Sequence, residues 1–122
     1  MVENLKPISL AFWRSAMGRE PVRGLNELSR EDKRTIGRDI AKVQFGWPVG
    51  LPLCRPLSGG LWEIRSSLPS RREARIFFGF HQGMLIALHG MIKKTQKTPA
   101  ADLALARQRF QELQSWPRKT RT

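Results

Sequence analysis

From Gly60 to Lys94 the chain alternates apolar and polar residues with a period of two. In LWEIRS, Trp62 and Ile64 are set to one side and Glu63 and Arg65 to the other, as a strand requires. LPSRRE reads as a turn around Pro69 and Ser70. ARIFFGF then resumes as a strand with Ile76, Phe78 and Phe80 on one face and Arg75 and Phe77 on the opposite one. HQG is a tight hairpin connection, and MLIALHGMIKK is a third strand, in which His89 alternates in register with Leu85, Ala87 and Met91. The expectation is an antiparallel meander.

Helical spacing flanks it on both sides. Ser29, with Asp32 three positions on, is a capping box, and Ile36, Ile40 and Val43 then share one face. Gly46 and Pro48 end that helix, and Leu25 and Leu28 suggest an earlier helical turn folded back as a hairpin. At the other end Thr98 and Pro99 sit where an N-cap and first helical residue belong. Asp102 falls in the first turn, and Leu103, Ala106, Phe110 and Leu113 follow with helical spacing. KPISLAFWRS, Lys6 to Ser15, reads as a short first strand. Gly46 to Gly60 holds four glycines and three prolines, and its Trp47, Leu51, Leu53 and Leu57 predict a loop that packs across the domain.

Length and charge narrow the class. With 122 residues, 40% of them hydrophobic, the chain has the size of a single domain spanning 1–122, with a basic tail from about 115 to 122. Lys and Arg number 22 against 10 Asp and Glu, a formal net charge of +12, which favours an anionic partner. Arginine is the commoner base, and its planar fork suits phosphate or carboxylate. A lone cysteine, Cys54, allows no internal disulfide and reads as an apolar filler in a reducing cytoplasm. The longest apolar run, MLIALHGMI, is far short of the ~20 residues of a membrane span, so no membrane association is expected.

Between Gly50 and Ala100 eight bases stand against two acids, Glu63 and Glu73. The stretch GMIKKTQKTP, Gly90 to Pro99, holds three lysines and no carboxylate. Lys93, Lys94 and Lys97 are therefore expected to face an anionic partner, and charge alone does not choose between nucleic-acid phosphate and an acidic protein. Arg65 and Arg75 lie inside apolar strand patterns, where charge is costly unless the face borders a cleft or an acid. Pattern alone leaves open whether they serve an outside phosphodiester or pair with Glu63 and Glu73. His89 is a candidate base by chemistry and a structural histidine by base rate. No H-x-x-x-H, no closely spaced carboxylate pair and no phosphate loop before a helix is present, so neither a metal nor a cofactor is expected.

The order PLSGGLWEIRS, then ARIFFGF, then LIALHGMIKKTQKTP running into a helix, resembles the RelE/ParE superfamily of bacterial toxins, and specifically its HigB-like, phage-derived Gp49-like branch. The resemblance covers roughly Pro48 to Phe110. It implies a small α+β domain: a twisted antiparallel sheet with N-terminal helices packed on one face, and a C-terminal helix. It further implies the toxin of a type II toxin–antitoxin pair, a ribosome-dependent mRNA interferase cutting by metal-free attack of a 2′-hydroxyl on the adjacent phosphate. Its partners would be mRNA, the ribosome and a cognate antitoxin, a helix-turn-helix protein, in the cytoplasm. On this resemblance Arg65, Arg75, Lys94 and His89 are the catalytic candidates, and Lys93, Lys97, Arg71 and Arg72 the further RNA contacts. The chain departs from better-known relatives in lacking any tyrosine. The alternative is therefore a non-catalytic protein on the same fold, either a gyrase inhibitor of ParE type or an inactive antitoxin-binding relative.

Overall fold

The computed structural model describes residues 7–13, 25, 28–93 and 100–115. Seven elements follow in the order β1 Leu10–Phe12, α1 Arg30–Gly46, β2 Cys54–Pro56, β3 Leu61–Ser67, β4 Glu73–His81, β5 Met84–Lys93 and α2 Ala100–Ser115. The strands form one sheet in the order β1-β5-β4-β3-β2. The expected meander is β3–β4–β5, closed by a Gln82-Gly83 turn in which both residues have positive φ.

Three expectations need correction. The sheet is mixed, because β1 pairs parallel to β5, Leu10 opposite Leu85 and Phe12 opposite Ala87. A parallel neighbour needs a long crossover, and the chain between β1 and β5, which includes α1, provides it. The helices also lie on opposite faces. β3, β4 and β5 carry apolar residues on both sides and so require cover on both. Ile36 and Val43 of α1 pack with Ile64, Ile76, Phe78, Leu85 and Ala87, whereas Ala106 and Phe110 of α2 pack with Leu61, Phe77 and Leu88. Thirdly, Gly46 to Gly60 is not all loop: Cys54–Pro56 forms an edge strand against Trp62–Ile64, a position where proline is tolerated because its missing N–H faces outward. Most of the expected hairpin before Ser29, the Thr98 cap and the basic tail lie outside the described residues.

The register of β5 also differs from simple alternation. Phe77 pairs with His89 and Phe78 with Ala87, so Leu88 is an extra, bulged residue. Leu85 and Ala87 therefore face α1, whereas Leu88, His89 and Met91 turn to the α2 side. The bulge leaves the Leu88 carbonyl available to Arg109 of α2, whose Nη1 donates to it at 2.8 Å while its guanidinium lies 4.6 Å over the Trp13 ring.

Only half of the capping box forms. Ser29 Oγ accepts from the Asp32 amide at 3.1 Å, but the Asp32 side chain turns inward. There it accepts from the Ser70 amide and hydroxyl at 3.2 and 2.7 Å and from Arg72 at 3.3 Å, tying α1 to the β3–β4 turn. The Ser70 hydroxyl chiefly, helped by Arg72, outweighs burial and holds the Asp32 pKa below its ordinary value. Farther along α1, Asp39 accepts from Ser66 at 2.6 Å. Cys54 is fully buried on the same side, and burial, with the Asp39 charge, pushes its thiol up to about 11, so it is an inert core group.

Candidate functional site

The charged half of the α2 face is built by strand parity. Residues 61, 63, 65 and 67 of β3 point to it, as do 73, 75 and 77 of β4 and 89, 91 and 93 of β5. Helix α2 covers the Leu61 and Phe77 end through Phe110. Gly79 permits that approach: a methyl at its Cα would lie 2.6 Å from Phe110 Cζ. The other end carries alternating charges.

Arg75 is at its centre, opposite Arg65 on β3 and Met91 on β5. Only 3% of Arg75 is exposed. Its Nη1 donates to Glu63 Oε2 at 2.9 Å and its Nε to Glu73 Oε2. Glu63, fully buried, also meets Arg55 of β2 at 3.2 Å. The ladder continues through Arg65, whose Nε lies 3.8 Å from Glu73 Oε2, to Lys93, the cross-strand partner of Glu73. Burial opposes the charge on Glu73, but Arg75 above all, then Lys93 and Arg65, overcome it and lower its pKa. Glu63 Oε1 is buried and has no partner among the described residues.

Where β5 meets the first turn of α2, His89 Nε2 lies 2.6 Å from Asp102 Oδ1. The imidazole stacks parallel to Phe77, with ring centroids 6.2 Å apart and planes 7° apart. Its Nδ1 is buried and without a partner among the described residues. One ring nitrogen is thus held and the other covered. Asp102 is the more accessible member, its side chain 29% exposed against 15% for His89.

The fold therefore brings Arg65, Arg75, Lys93 and His89 to one face. Arg72 is committed to Asp32 and Ser70, and Arg71, exposed with a φ of 68°, shares its turn beyond the end of the sheet. Lys94 and Lys97 lie outside the described residues. Asp102 is the site residue that sequence reading misses, having been assigned only to the helix start. A carboxylate in the first turn of the helix that follows the histidine-bearing strand was the available signal. Among the described residues, no three His, Cys, Asp or Glu side chains are placed to hold a metal ion, and no helix is long and apolar enough to cross a membrane.

A cleft of about 540 Å³ opens between α1 and the β3–β4 end, with Arg65 and Glu73 shared by cleft and sheet face. The family model described as Phage derived protein Gp49-like (DUF891) matches residues 23–111, taking in α1, β2 to β5 and most of α2. No curated protein matches the chain.

Proposed function

The chain belongs to the phage-derived Gp49-like family, of the RelE/ParE-like toxin branch, and we propose that it is the toxin of a type II toxin–antitoxin pair that cuts mRNA on the ribosome. The reaction is attack of a ribose 2′-hydroxyl on the adjacent phosphorus, leaving a 2′,3′-cyclic phosphate and a free 5′-hydroxyl. It needs the backbone held in line, the phosphate charge offset and a proton moved at each end.

The observation that carries this reading is the convergence of Arg65, Lys93 and the His89–Asp102 pair on one sheet face around Arg75. Arg65, with its side chain 34% exposed, and Lys93 meet the scissile phosphate. Arg75 acts beneath them: fixed between Glu63 and Glu73, it holds the ladder that aims Arg65. Along β5, Met91 opposite Arg75 is two residues from His89, about 7 Å at the strand rise. Arg65 stands two strand spacings from Met91, about 10 Å, so its extended side chain and a bound nucleotide together bridge the two groups. The proton acceptor is the His89–Asp102 pair, with Asp102 outward and the imidazole supporting its carboxylate. Lys93, or Lys94 next to it, returns a proton to the departing 5′-oxygen.

A second reading has its own support. Arg75 already has its charge offset by two glutamates, and a binding-only relative would need no free cation there. Incubation of the purified protein with a defined mRNA, with and without translating ribosomes, followed by mapping of new 5′ ends, separates the two. Cuts confined to the ribosome-containing reaction are expected. Their absence with folded protein would transfer the assignment to antitoxin or gyrase binding.

A further inference from the structure

We propose that α1 carries a second, sequence-independent RNA phosphate track, running along Arg34, Arg38 and Lys42 and joined to the sheet site through the cleft at Arg65. The inference rests on the nucleic-acid reading of that site, and it adds a surface that the chemistry above does not use.

Three observations carry it. Arg34, Arg38 and Lys42 are spaced four residues apart on α1 and all are exposed, so they form one ridge with steps of about 6 Å along the axis. The cleft of about 540 Å³ is lined by Arg38 and Lys42 on one side and by Arg65 and the exposed Ser67 on the other, which makes ridge and sheet site continuous. Finally, the acids of the cleft are already engaged. Asp39 accepts from buried Ser66 at 2.6 Å, and Glu73 is taken by Arg75. Lys42 lies 3.6 Å from Asp39 but is 63% exposed, a weak pairing that phosphate can displace. Arg34 and Arg38 have no carboxylate partner among the described residues.

Phosphate is the better chemical match than a protein carboxylate. The ridge presents mostly arginine at regular intervals along an open path, and the cleft adds a hydroxyl beside its three cations. Binding here reads backbone and not bases. It would hold the strand flanking the cut while Arg65 holds the scissile phosphate.

The test is the salt dependence of binding to a labelled 2′-O-methyl oligoribonucleotide, which cannot be cleaved by 2′-hydroxyl attack, followed by fluorescence anisotropy. For single strands the slope of log K against log salt is about −0.7 per phosphate neutralised. R34Q/R38Q/K42Q is expected to reduce the slope magnitude by about 2 and to weaken binding at low salt at least tenfold. Glutamine keeps helix propensity, and a matching thermal melt checks the fold. An unchanged slope in the folded triple variant would overturn the track. So would a wild type that ignores the oligonucleotide but binds poly-glutamate through the same three residues, since the ridge would then take an acidic protein. Ribosome-dependent cleavage is measured separately. A normal ridge effect on binding with no cleavage by wild type would sink the endonuclease reading and leave the track standing.

Discussion

Arg65 and Arg75 stand directly opposite one another on β3 and β4, and the same oxygen of Glu73, Oε2, pairs with both. Like charges in cross-strand register repel, and one carboxylate makes their juxtaposition tolerable. The two arginines are nevertheless unequal. Arg75 is enclosed and bound also to Glu63, whereas Arg65 reaches the surface and the cleft.

That inequality decides which variant reports on chemistry. Arg65→Ala is expected to change stability by less than about 1 kcal/mol, because its ion pair is partly exposed. It should lower ribosome-dependent cleavage by about 100-fold or more. Arg75→Ala would leave the buried Glu63 with only the half-exposed Arg55 and conflate unfolding with loss of function. Urea melts of both variants beside cleavage rates check this; wild-type cleavage by folded Arg65→Ala would count against the phosphate role.

Glu63→Gln tests the ladder as structure. Removing the fully buried carboxylate leaves the enclosed Arg75 with only the partly exposed Glu73, so a loss of about 3 kcal/mol is expected in denaturant unfolding. A loss under about 1 kcal/mol would mean that Glu73 alone satisfies Arg75.

The packing of α2 on the sheet turns on Gly79. Gly79→Ala drives a methyl against the Phe110 ring, where atoms would stand 2.6 and 2.8 Å apart, and should cost about 1 to 3 kcal/mol. Phe110→Leu combined with Gly79→Ala should recover part of that cost. Additive losses in the double-mutant cycle would refute the contact.

Acid should destabilise the fold through two carboxylates. Asp32 and Glu73 have folded pKa values below their ordinary 3.8 and 4.5, so the unfolded chain takes up protons first as pH falls. Their contribution is complete above those ordinary values and is lost as pH drops through the lowered folded ones. Melting temperatures between pH 6 and 2.5 should therefore fall most steeply below about pH 4, and Asp32→Asn should flatten that slope.

Asp102→Asn separates clamp from catalyst. As a member of the proton-accepting pair Asp102 should be worth about 100-fold or more in cleavage, with ribosome binding retained. Nitrogen NMR of His89 should report a changed tautomer or hydrogen bond in the same variant. Cleavage unchanged in folded Asp102→Asn would place the proton acceptor elsewhere.

Periodicity in the sequence determined the three meander strands, the Ser29 start of α1, the Gly46 stop and the spacing of α2, because each rests on local geometry and adjacent residues. It also set Arg65 and Arg75 on one side of their strands, since parity within a strand is local. Tertiary structure decided the rest. The parallel docking of β1 against β5 joins segments some 75 residues apart, Leu10 with Leu85, and no local pattern encodes it. Both faces of β3 to β5 carry apolar residues, but which helix covers which face depends on the path of the connections. The bulge at Leu88 turned His89 away from Ala87 and toward Asp102, a shift that simple alternation cannot anticipate. Whether Arg75 pairs with acids or waits for phosphate was equally undecidable from spacing. Only the register that lays Glu63, Arg75 and Glu73 side by side settles that Arg75 is enclosed and Arg65 reaches the surface.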